Sequence, residues 1–250
     1  MSPILEARDL TRTYRAGDRE VHALQGVSLQ VQPGEFLGLM GPSGSGKTTL
    51  LQILGGLDRP TSGEVVLDGA VVSALDDDQA TRLRREKTGF VFQSFNLVPL
   101  LTARENVALP FLLAGADPRR GATATRVDEA LALVDLAAKA DRRPEELAFG
   151  EQQRVAIARA IAGRPAILFA DEPTGNLDYA TGTEVLEYLY RSAAERAQTV
   201  VLVTHDAKAA AYADRVLFME DGRILEEIAL GRRAEHPARP LIERLALLGQ

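Results

Sequence analysis

FLGLMGPSGSGKT, residues 36–48, is the stretch that decides how this chain folds. Its apolar start is followed by an octapeptide that fits the pattern GxxxxGK[ST], which joins a β-strand to the beginning of an α-helix. Glycines in such a loop let successive backbone N–H groups surround phosphate oxygens where a Cβ would obstruct them, and the helix N-terminus adds partial positive charge. The lysine neutralises the outer phosphates, and the following hydroxyl is a ligand for Mg²⁺. The stretch therefore predicts a nucleoside-triphosphate site formed by Gly41, Pro42, Ser43, Gly44, Ser45, Gly46, Lys47, Thr48 and Thr49.

Two adjacent carboxylates follow a second apolar run. Residues 166–170, AILFA, end at Asp171 and Glu172, so both acids emerge at the carboxyl end of a predicted strand, where open α/β sheets bind their ligands. A solvated strand end before a turn at Pro173 would produce the same dipeptide. Beside a phosphate loop, we expect Asp171 to belong to the Mg²⁺ shell and Glu172 to accept a proton from the water that attacks the γ-phosphorus.

Composition and length place the chain among ordinary globular proteins. Its 250 residues are 46% hydrophobic and 26% charged, which excludes disordered, collagen-like and coiled-coil proteins. The absence of cysteine excludes a disulfide framework, a thiolate zinc site and a cysteine nucleophile. Charged residues near the N-terminus, at Glu6, Arg8 and Asp9, do not fit a secretory signal.

Charge and hydropathy also limit the partners. With 29 basic and 35 acidic residues the net charge is −6 and no long basic run occurs, so we expect no nucleic-acid partner. The longest run without a polar side chain, 107–116, is interrupted by Pro110, and crossing a bilayer takes ~20 apolar residues. Any membrane role is therefore expected to depend on a partner protein.

Five apolar, β-prone runs bounded by Gly, Asp or Pro predict a buried sheet of mainly parallel strands. They are residues 36–40, 89–92, 166–170, 199–203 and 216–219. Helical stretches such as 47–57 and 181–196 lie between these runs. The predicted fold class is α/β, with the mainly parallel core sheet of a phosphate-loop NTPase.

Two smaller units are predicted beside that sheet. Shorter, more polar runs at 4–10, 27–31 and 65–67 lie near turn residues and indicate a small antiparallel β-subdomain. Strand signals are missing from 101 to 164, which indicates an inserted α-helical subdomain. Within it, one helix face is predicted from the spacing of Val127, Leu131, Val134 and Ala138.

These patterns give one ATPase-type domain over residues 1–229, with a core at about 1–92 and 164–225 and a helical subdomain at about 93–163. Residues 230–250 are predicted to form a C-terminal extension. Leu241, Leu245 and Leu248 share a helix face there, which fits packing against the same domain better than docking to a partner.

Taken together, the motifs resemble the ATP-binding subunit of an ABC transporter over residues 1 to about 226. The resemblance places Tyr14 where an aromatic ring stacks on adenine, Gln93 in the Q-loop, NLD at 176–178 as the D-loop, and His205 in VTHD. It implies that Glu172, His205, Gln93 and Lys47 are catalytic, and that the metal ligands are Thr48, Gln93 and Asp171.

Three of these residues also have ordinary explanations when each is taken singly. Tyr14 fits a half-buried aromatic residue, and Gln93 fits a polar residue that closes a strand. His205 follows an apolar strand and fits a structural histidine, but strand ends on one sheet edge converge near the γ-phosphate. A neutral His205 could accept from the attacking water or donate to a phosphate oxygen, and the tautomer stays open.

The resemblance also implies cofactors, partners and location. ATP and Mg²⁺ are the expected cofactors, and the expected partners are a second ATPase subunit and a membrane-spanning permease in a separate chain. The chain is expected at the cytoplasmic face of the membrane as a peripheral protein. LGGLD at 54–58, NLVP at 96–99 and GNLD at 175–178 resemble the lipoprotein-release, macrolide-exporter and cell-division subgroup.

The sequence departs from the family at its signature, LSGGQ, which here reads LAFGE at 147–151. In the family, this helix N-terminus grips the γ-phosphate bound to the opposite subunit. Ala148 has no hydroxyl to donate, and Phe149 is expected to resist a positive φ where a glycine would adopt it. The residues implied to act in trans are Ala148, Phe149, Gly150, Glu151 and Asp178.

This departure leaves three explanations open: a heterodimer with a partner that has an intact signature, a homodimer that tolerates the change, or a substitution introduced into the chain. The leading hypothesis is an ATPase that powers a separate transmembrane subunit through ATP-dependent dimer closure. The alternative is a hydrolysis-impaired, nucleotide-gated switch, or a degenerate half of a heterodimer, that recruits or regulates a membrane partner.

Overall fold

A six-stranded sheet forms the centre of the computed structural model, which describes residues 2–17, 19–231 and 241–243. Its strands are β3 (Phe36–Met40), β6 (Thr88–Phe92), β7 (Ile167–Asp171), β8 (Thr199–Val203), β9 (Arg215–Glu220) and β10 (Arg223–Ala229). They are arranged in the order β10-β9-β3-β8-β7-β6. All neighbours pair in parallel except β10, which runs antiparallel to β9. The predicted α/β class with a mainly parallel core sheet is confirmed.

The two faces of this sheet bury different residues. On β3, Phe36 and Met40 belong to one apolar cluster, whereas Leu37 and Leu39 belong to another. The same alternation continues along β7, β8 and β9. Because both faces are covered, every residue of β3 and β8 is buried, and these strands read as continuous apolar runs.

Strand β10 was not predicted. Its residues alternate between exposed and partly exposed positions, so it lacks the continuous apolar run that identifies the buried strands. It joins the sheet through a tight turn at Asp221 and Gly222, both with positive φ. Hairpin pairing with β9, rather than its own hydrophobicity, accounts for its formation.

A second, antiparallel sheet lies beside the first, as predicted. Its strands are β1 (Leu5–Ala16), β2 (Arg19–Val31), β4 (Ser62–Leu67) and β5 (Ala70–Val71), in the order β2-β1-β4-β5. β1 and β2 are longer than the predicted runs 4–10 and 27–31. The polar ends of both strands pair with each other, for example Tyr14 with Val21, so backbone hydrogen bonding extends the hairpin beyond its buried part.

Seven α-helices accompany the sheets within the described residues. They are α1 (Lys47–Leu54), α2 (Asp77–Lys87), α3 (Ala103–Leu113), α4 (Gly121–Leu133), α5 (Phe149–Ala162), α6 (Tyr179–Arg196) and α7 (Ala207–Ala210). Helices α3, α4 and α5 lie between β6 and β7, where the inserted helical region was predicted. α2 was not predicted because it is strongly polar; the reciprocal hydrogen bonds of Asp76 and Gln79 cap it instead.

Two predicted helices end earlier than expected. α1 stops before Gly55 and Gly56, the second of which has φ 71°, so it does not reach residue 57. In α4, Val127 and Leu131 are buried as predicted, but the helix ends at Leu133. Asp135 has a positive φ that breaks the predicted stripe, and Ala138 is exposed.

No helix of the described residues is both long enough and apolar enough to cross a bilayer. Leu241, in the predicted C-terminal extension, is fully buried and packs in the cluster that contains Leu230. Leu245 and Leu248, which the sequence places on the same helix face, lie outside the described residues.

Candidate nucleotide-binding site

The glycine-rich loop between β3 and α1 is held closely on two sides. Gly41 has φ 147°, and a Cβ there would lie 2.0 Å from the carbonyl oxygen of Met219. Gly46 has φ 97°, and a Cβ there would lie 2.3 Å from the carbonyl oxygen of Ala23. Only glycine fits both positions, since each combines an unfavourable φ with direct contact to another backbone. The loop is therefore fixed between Met219 near the end of β9 and Ala23 in β2.

Lys47 places a charge inside this loop. Its Nζ donates to the carbonyl oxygens of Gly41 and Pro42, both at 2.7 Å, and to Ser45 Oγ at 3.3 Å. The residue is only 7% exposed, and burial lowers the pKa of its ammonium group, while the charge of Glu172 opposes that shift. All three hydrogen-bond partners are uncharged. A buried cation in such surroundings favours a bound anion.

Thr48 and Asp171 bring two oxygens together at the sheet edge. Thr48 lies in the first turn of α1 and Asp171 ends β7, and the Thr48 hydroxyl donates to Asp171 Oδ1 at 3.1 Å. Burial raises the pKa of Asp171, and the hydrogen bond from Thr48 opposes that shift. Hydroxyl and carboxylate oxygens are the hard ligands that Mg²⁺ prefers.

Glu172 and His205 meet across the ends of β7 and β8. His205 Nδ1 lies 2.9 Å from Glu172 Oε1, and the Glu172 side chain is 19% exposed against 67% for His205. Glu172 has φ 46°, an unfavourable value outside glycine, yet its N–H still donates to the Val203 carbonyl at 2.9 Å. Strained backbone of this kind is common at functional sites. The expected convergence of strand ends thus brings the acid and the histidine into contact.

Gln93 is joined to the D-loop by two hydrogen bonds. Its Nε2 donates to Asn176 Oδ1 at 3.2 Å, and Asn176 Nδ2 donates back to the Gln93 carbonyl at 3.0 Å. Gly175 packs against this pair, and a Cβ there would lie 2.7 Å from Gln93 Nε2, so the Gln93 side chain would have to shift. The Q-loop and the D-loop of one chain therefore form a single hydrogen-bonded unit.

One cleft of about 1070 Å³ collects most of the predicted residues. Those lining it are Tyr14, Ser43, Gly44, Gly46, Lys47, Thr48, Thr49, Gln93, Glu172 and His205. Tyr14 is held by two neighbours: its hydroxyl donates to Asp58 at 2.7 Å, and the Arg12 guanidinium lies 4.4 Å from its ring centre. These contacts fix the ring at the cleft, while its stacking on adenine stays a prediction.

Residues that the sequence analysis missed line the same cleft. His22 and Gln25 come from β2, and Asp221 and Gly222 come from the turn between β9 and β10. The Gly222 N–H donates to the carbonyl of Ser45 at 3.1 Å, so this turn touches the phosphate loop directly. An Asp-Gly dipeptide after an apolar run favours a tight hairpin turn. That signal was present, but it does not indicate which loop the turn contacts.

The signature segment lies away from the cleft, at the N-terminus of α5. Ala148 is the N-cap and supplies no side-chain cap, whereas Glu151 accepts a hydrogen bond from its N–H at 3.1 Å. Phe149 is 68% exposed and begins the helix without a positive φ. The expectation that Phe149 is strained by a positive φ is wrong, since a helical residue needs none. Gly150 is tightly packed: a Cβ there would lie 2.1 Å from Thr181 Cγ2.

Asp178, the other residue predicted to act in trans, caps α6. Its carboxylate accepts hydrogen bonds from the N–H groups of Ala180 and Thr181 and from the Thr181 hydroxyl, and these hold its pKa below the usual range. None of the signature residues, nor Asp178, lines the cleft. Within one chain the two predicted halves of the site are therefore separate.

The parallel sheet, the glycine loop before α1 and the acid pair at the end of β7 together define a phosphate-loop nucleotide-binding protein. Residues 24–175 match the ABC transporter family. An uncharacterized ABC transporter ATP-binding protein of Methanocaldococcus jannaschii, MJ0796, is 45% identical over 231 residues, covering 90% of this chain and 96% of the relative. The chain belongs to the ABC transporter family, as an ATP-binding ATPase of that family.

Other relatives agree with this assignment. A dimeric structure of MJ0796 in a post-hydrolysis state, bound to ADP and Pi, matches with a TM-score of 0.82 at 44% identity, covering 90% of this chain and 98% of that one. The macrolide export ATP-binding/permease protein MacB of Syntrophobacter fumaroxidans is 49% identical over 224 residues. Those residues are 90% of this chain but 31% of MacB, so the chain spans about a third of that relative.

Proposed function

We propose that the chain binds Mg-ATP in this cleft, hydrolyses it as part of a dimer, and thereby powers a membrane-spanning permease in a separate chain. One observation carries the proposal. The buried ammonium group of Lys47, the Thr48–Asp171 oxygen pair and the Glu172–His205 pair all lie at the carboxyl edge of one sheet. A triphosphate held by the loop would place its terminal phosphate toward these carboxylates.

Mg²⁺ fits the oxygens found there. Thr48 Oγ1 and Asp171 Oδ1 are hard donors 3.1 Å apart, and Gln93 lines the same cleft. We assign these three residues to the metal, with substrate phosphates and water completing its coordination. When bound, the ion neutralises charge on the β- and γ-phosphates. An ionised Asp171 in this partly buried place is itself better accommodated beside a cation.

We assign hydrolysis to the pair formed by Glu172 and His205. Glu172 is the base that takes a proton from the attacking water, because its carboxylate is partly shielded and directly follows the metal-binding strand. His205 holds that carboxylate through Nδ1 and leaves Nε2 for water or a phosphate oxygen. Lys47 compensates the charge of the phosphates. Each role follows from position and chemistry at the sheet edge.

A second subunit is needed to complete the site. The signature tip at Ala148 and Phe149 faces solvent rather than the cleft of its own chain. The solved relative MJ0796 forms dimers. We therefore propose that this tip, with Asp178, closes over nucleotide bound to the other subunit, and that hydrolysis reopens the dimer.

An apolar groove offers a place for the permease. Its volume is about 600 Å³, and it lies between the sheet edge at β6 and helix α3. Its lining includes Leu57, Phe90, Phe92, Asn96, Leu109, Pro110, Leu113 and Arg159. An amphipathic helix from a membrane subunit fits a groove of this type. The chain would then work as a peripheral protein at the cytoplasmic face, and the permease would determine what is transported.

Phosphate release from Mg-ATP by the purified chain tests the proposal. Glu172→Gln keeps the shape of the side chain but removes the base, so we expect kcat to fall by about 100-fold or more. The dissociation constant for ATP should change less than about twofold, because the phosphate loop is intact. Glu86→Gln, on the exposed face of α2, is the matched control and should behave as the unmodified chain.

Two other results would point elsewhere. Failure to bind ATP with Mg²⁺ would contradict the proposal altogether. Tight ATP binding without turnover, even with the permease in excess, would instead support the nucleotide-gated switch. The altered signature at Ala148 and Phe149 is the observation that favours that alternative.

A further inference from the structure

Gln153, on α5, is a fully buried polar residue that touches two catalytic loops. Its amide nitrogen donates to the carbonyl of Phe92 at 3.2 Å and to that of Pro173 at 2.6 Å. Phe92 directly precedes Gln93, and Pro173 directly follows Glu172. One side chain therefore joins the helix that begins with the signature to the Q-loop and to the loop of the proposed base.

The orientation of this amide is fixed by its partners. Both are carbonyl oxygens, which only accept, so the nitrogen must face them and the oxygen must face away. That oxygen, Gln153 Oε1, is buried and has no hydrogen-bond partner among the residues described. A buried acceptor left without a partner lowers stability, whereas an apolar residue of similar size would remove that acceptor but also both hydrogen bonds of the amide nitrogen. The amide therefore binds the two loop carbonyls while its own oxygen has no partner among the described residues.

Arg159, farther along α5, holds the other end of the same segment. Its guanidinium donates to the carbonyls of Phe95 at 2.9 Å and Asn96 at 2.6 Å. Residues 92–96 are thus hydrogen-bonded to α5 at both ends. Asn96 and Arg159 also line the groove assigned above to the permease. Helix α5 is therefore in contact with the groove at one end and with the catalytic loops near the other.

We propose that Gln153 is a positioning residue that keeps Glu172 and Gln93 in place relative to each other and to α5. It acts through Pro173 and Phe92 and does not itself line the cleft. A displacement of α5, whether started at the groove or at the signature tip, would then move both catalytic loops together. This inference rests on the proposed ATP hydrolysis, and it adds how that reaction is linked to movement of the helix.

The neighbouring glutamine supplies a matched control. Gln152 lies on the same helix, and its amide nitrogen also donates to two carbonyls, those of Pro144 at 2.9 Å and Leu147 at 3.1 Å. Both of those carbonyls belong to the segment before α5, where Leu147 is the first residue of the signature, and neither belongs to the Q-loop or to the loop of Glu172. Residue type, helix and the chemistry of the hydrogen bonds are therefore equal, whereas the contacted loops differ and Gln152 is less buried than Gln153.

The experiment compares Gln153→Leu with Gln152→Leu in the full chain. Steady-state Mg-ATP hydrolysis gives kcat and KM, and titration with a fluorescent ATP analogue gives the dissociation constant. For Gln153→Leu we expect kcat to fall about tenfold or more, because small misplacements of catalytic groups are costly. Its dissociation constant should stay within about twofold, since no bond joins Gln153 to the phosphate loop. Gln152→Leu should lower kcat much less than Gln153→Leu does, because its hydrogen bonds reach neither the Q-loop nor the loop of Glu172.

Several outcomes would overturn the inference. These are an unchanged kcat in Gln153→Leu, an equal loss in both variants, or a loss of ATP affinity as large as the loss of kcat. Gln153→Asn is a second variant in case the leucine variant folds poorly. It keeps a buried amide, but its side chain is one methylene too short to reach both carbonyls. We therefore expect kcat to fall in this variant as well. Full activity of a folded Gln153→Asn also counts against it. Absence of hydrolysis by the unmodified chain would instead refute the proposed function.

Discussion

At the scale of single residues, three glycines determine how the phosphate loop is held. Gly41 and Gly46 are the loop positions where a Cβ would strike the backbone of Met219 or Ala23. Gly222 belongs to the turn after β9, and a Cβ there would lie 2.7 Å from the same Ala23 oxygen. The loop is therefore supported by a turn that is distant in sequence and carries no recognised nucleotide motif.

Gly222→Ala tests this support, and Gly69→Ala is its control. Both glycines follow an aspartate in a hairpin turn, with φ 74° and 80°, but a Cβ at Gly69 would meet nothing within 4 Å. Both variants should lose about 1 kcal/mol of stability to the unfavourable φ, and Gly222→Ala should lose more because its Cβ also clashes with the Ala23 oxygen. Gly222→Ala should also weaken ATP binding about tenfold, since the clash lies directly behind the phosphate loop.

Titration with a fluorescent ATP analogue measures the affinity, and urea denaturation measures the stability. If the contact between the turn and the phosphate loop supports ATP binding, affinity for ATP falls only in Gly222→Ala, whereas stability falls in both variants. Equal affinities in the two variants would show that the turn does not support the loop.

At the scale of elements, the N-terminus of α5 lacks a capping side chain. Ala148 occupies the N-cap with an extended backbone, and only Glu151 reaches back to its N–H. A serine side chain there would accept a hydrogen bond from a free N–H in the first turn. The departure from the family signature therefore leaves this helix without a cap as well as removing a hydroxyl.

Ala148→Ser should raise the free energy of unfolding by about 1 kcal/mol, the usual gain from a serine N-cap. Urea denaturation followed by circular dichroism gives the value. Ala132→Ser, on an exposed position inside α4, is the control and should lower stability slightly, because serine is a poorer helix former than alanine. A gain of the same size in both variants would exclude the capping explanation.

Glu151 gives the same helix end a dependence on pH. The hydrogen bond from Lys139, aided by the Ala148 N–H, holds the pKa of Glu151 below its ordinary value of 4.5. Because the folded pKa is the lower one, this stabilisation is complete well above pH 4.5 and is lost as the pH falls through the folded pKa.

Glu151→Gln should therefore be less stable than the unmodified chain at pH 7, with a difference that shrinks as the pH falls below about 4.5. Urea midpoints measured across this range give the difference. Glu86→Gln provides the baseline for loss of an exposed glutamate. A difference that stays constant with pH would mean that the charge of Glu151 does not contribute.

At the scale of the whole molecule, the two halves of the proposed catalytic site lie apart on one chain. The cleft contains the phosphate loop and Glu172, whereas the tip at Phe149 is exposed elsewhere. Closure of two chains, each covering the nucleotide of the other, would unite them. The altered tip makes the affinity of this chain for a second copy the central question.

Light scattering of the Glu172→Gln variant with Mg-ATP measures whether two copies of this chain form a dimer. Removing the base should preserve bound ATP, so we expect the mass of a dimer with ATP and of a monomer without nucleotide. Lys47→Ala, which removes the charge that compensates the phosphates, should remain monomeric in both conditions. A monomer that nevertheless holds ATP would exclude the homodimer and support a partner with an intact signature.

The phosphate loop, the acid pair and the buried strands of the parallel sheet were all predictable from the sequence. Their signals are local: a glycine pattern between apolar runs, or two acids at the end of one. α2 and β10 were missed because their polar residues carry no apolar period. The contact of Gly222 with the phosphate loop was missed because it joins residues far apart in sequence.

The sequence by itself determined the class of fold, the family resemblance and the residues predicted to form the nucleotide site, since short-range patterns of glycine, apolar and acidic residues are sufficient for these. Only the tertiary structure decided that Glu172 meets His205, that Gln93 pairs with Asn176, and that Gln153 joins both loops. Such contacts depend on how strands and helices pack, and no local pattern specifies a distance between residues that are far apart in the chain.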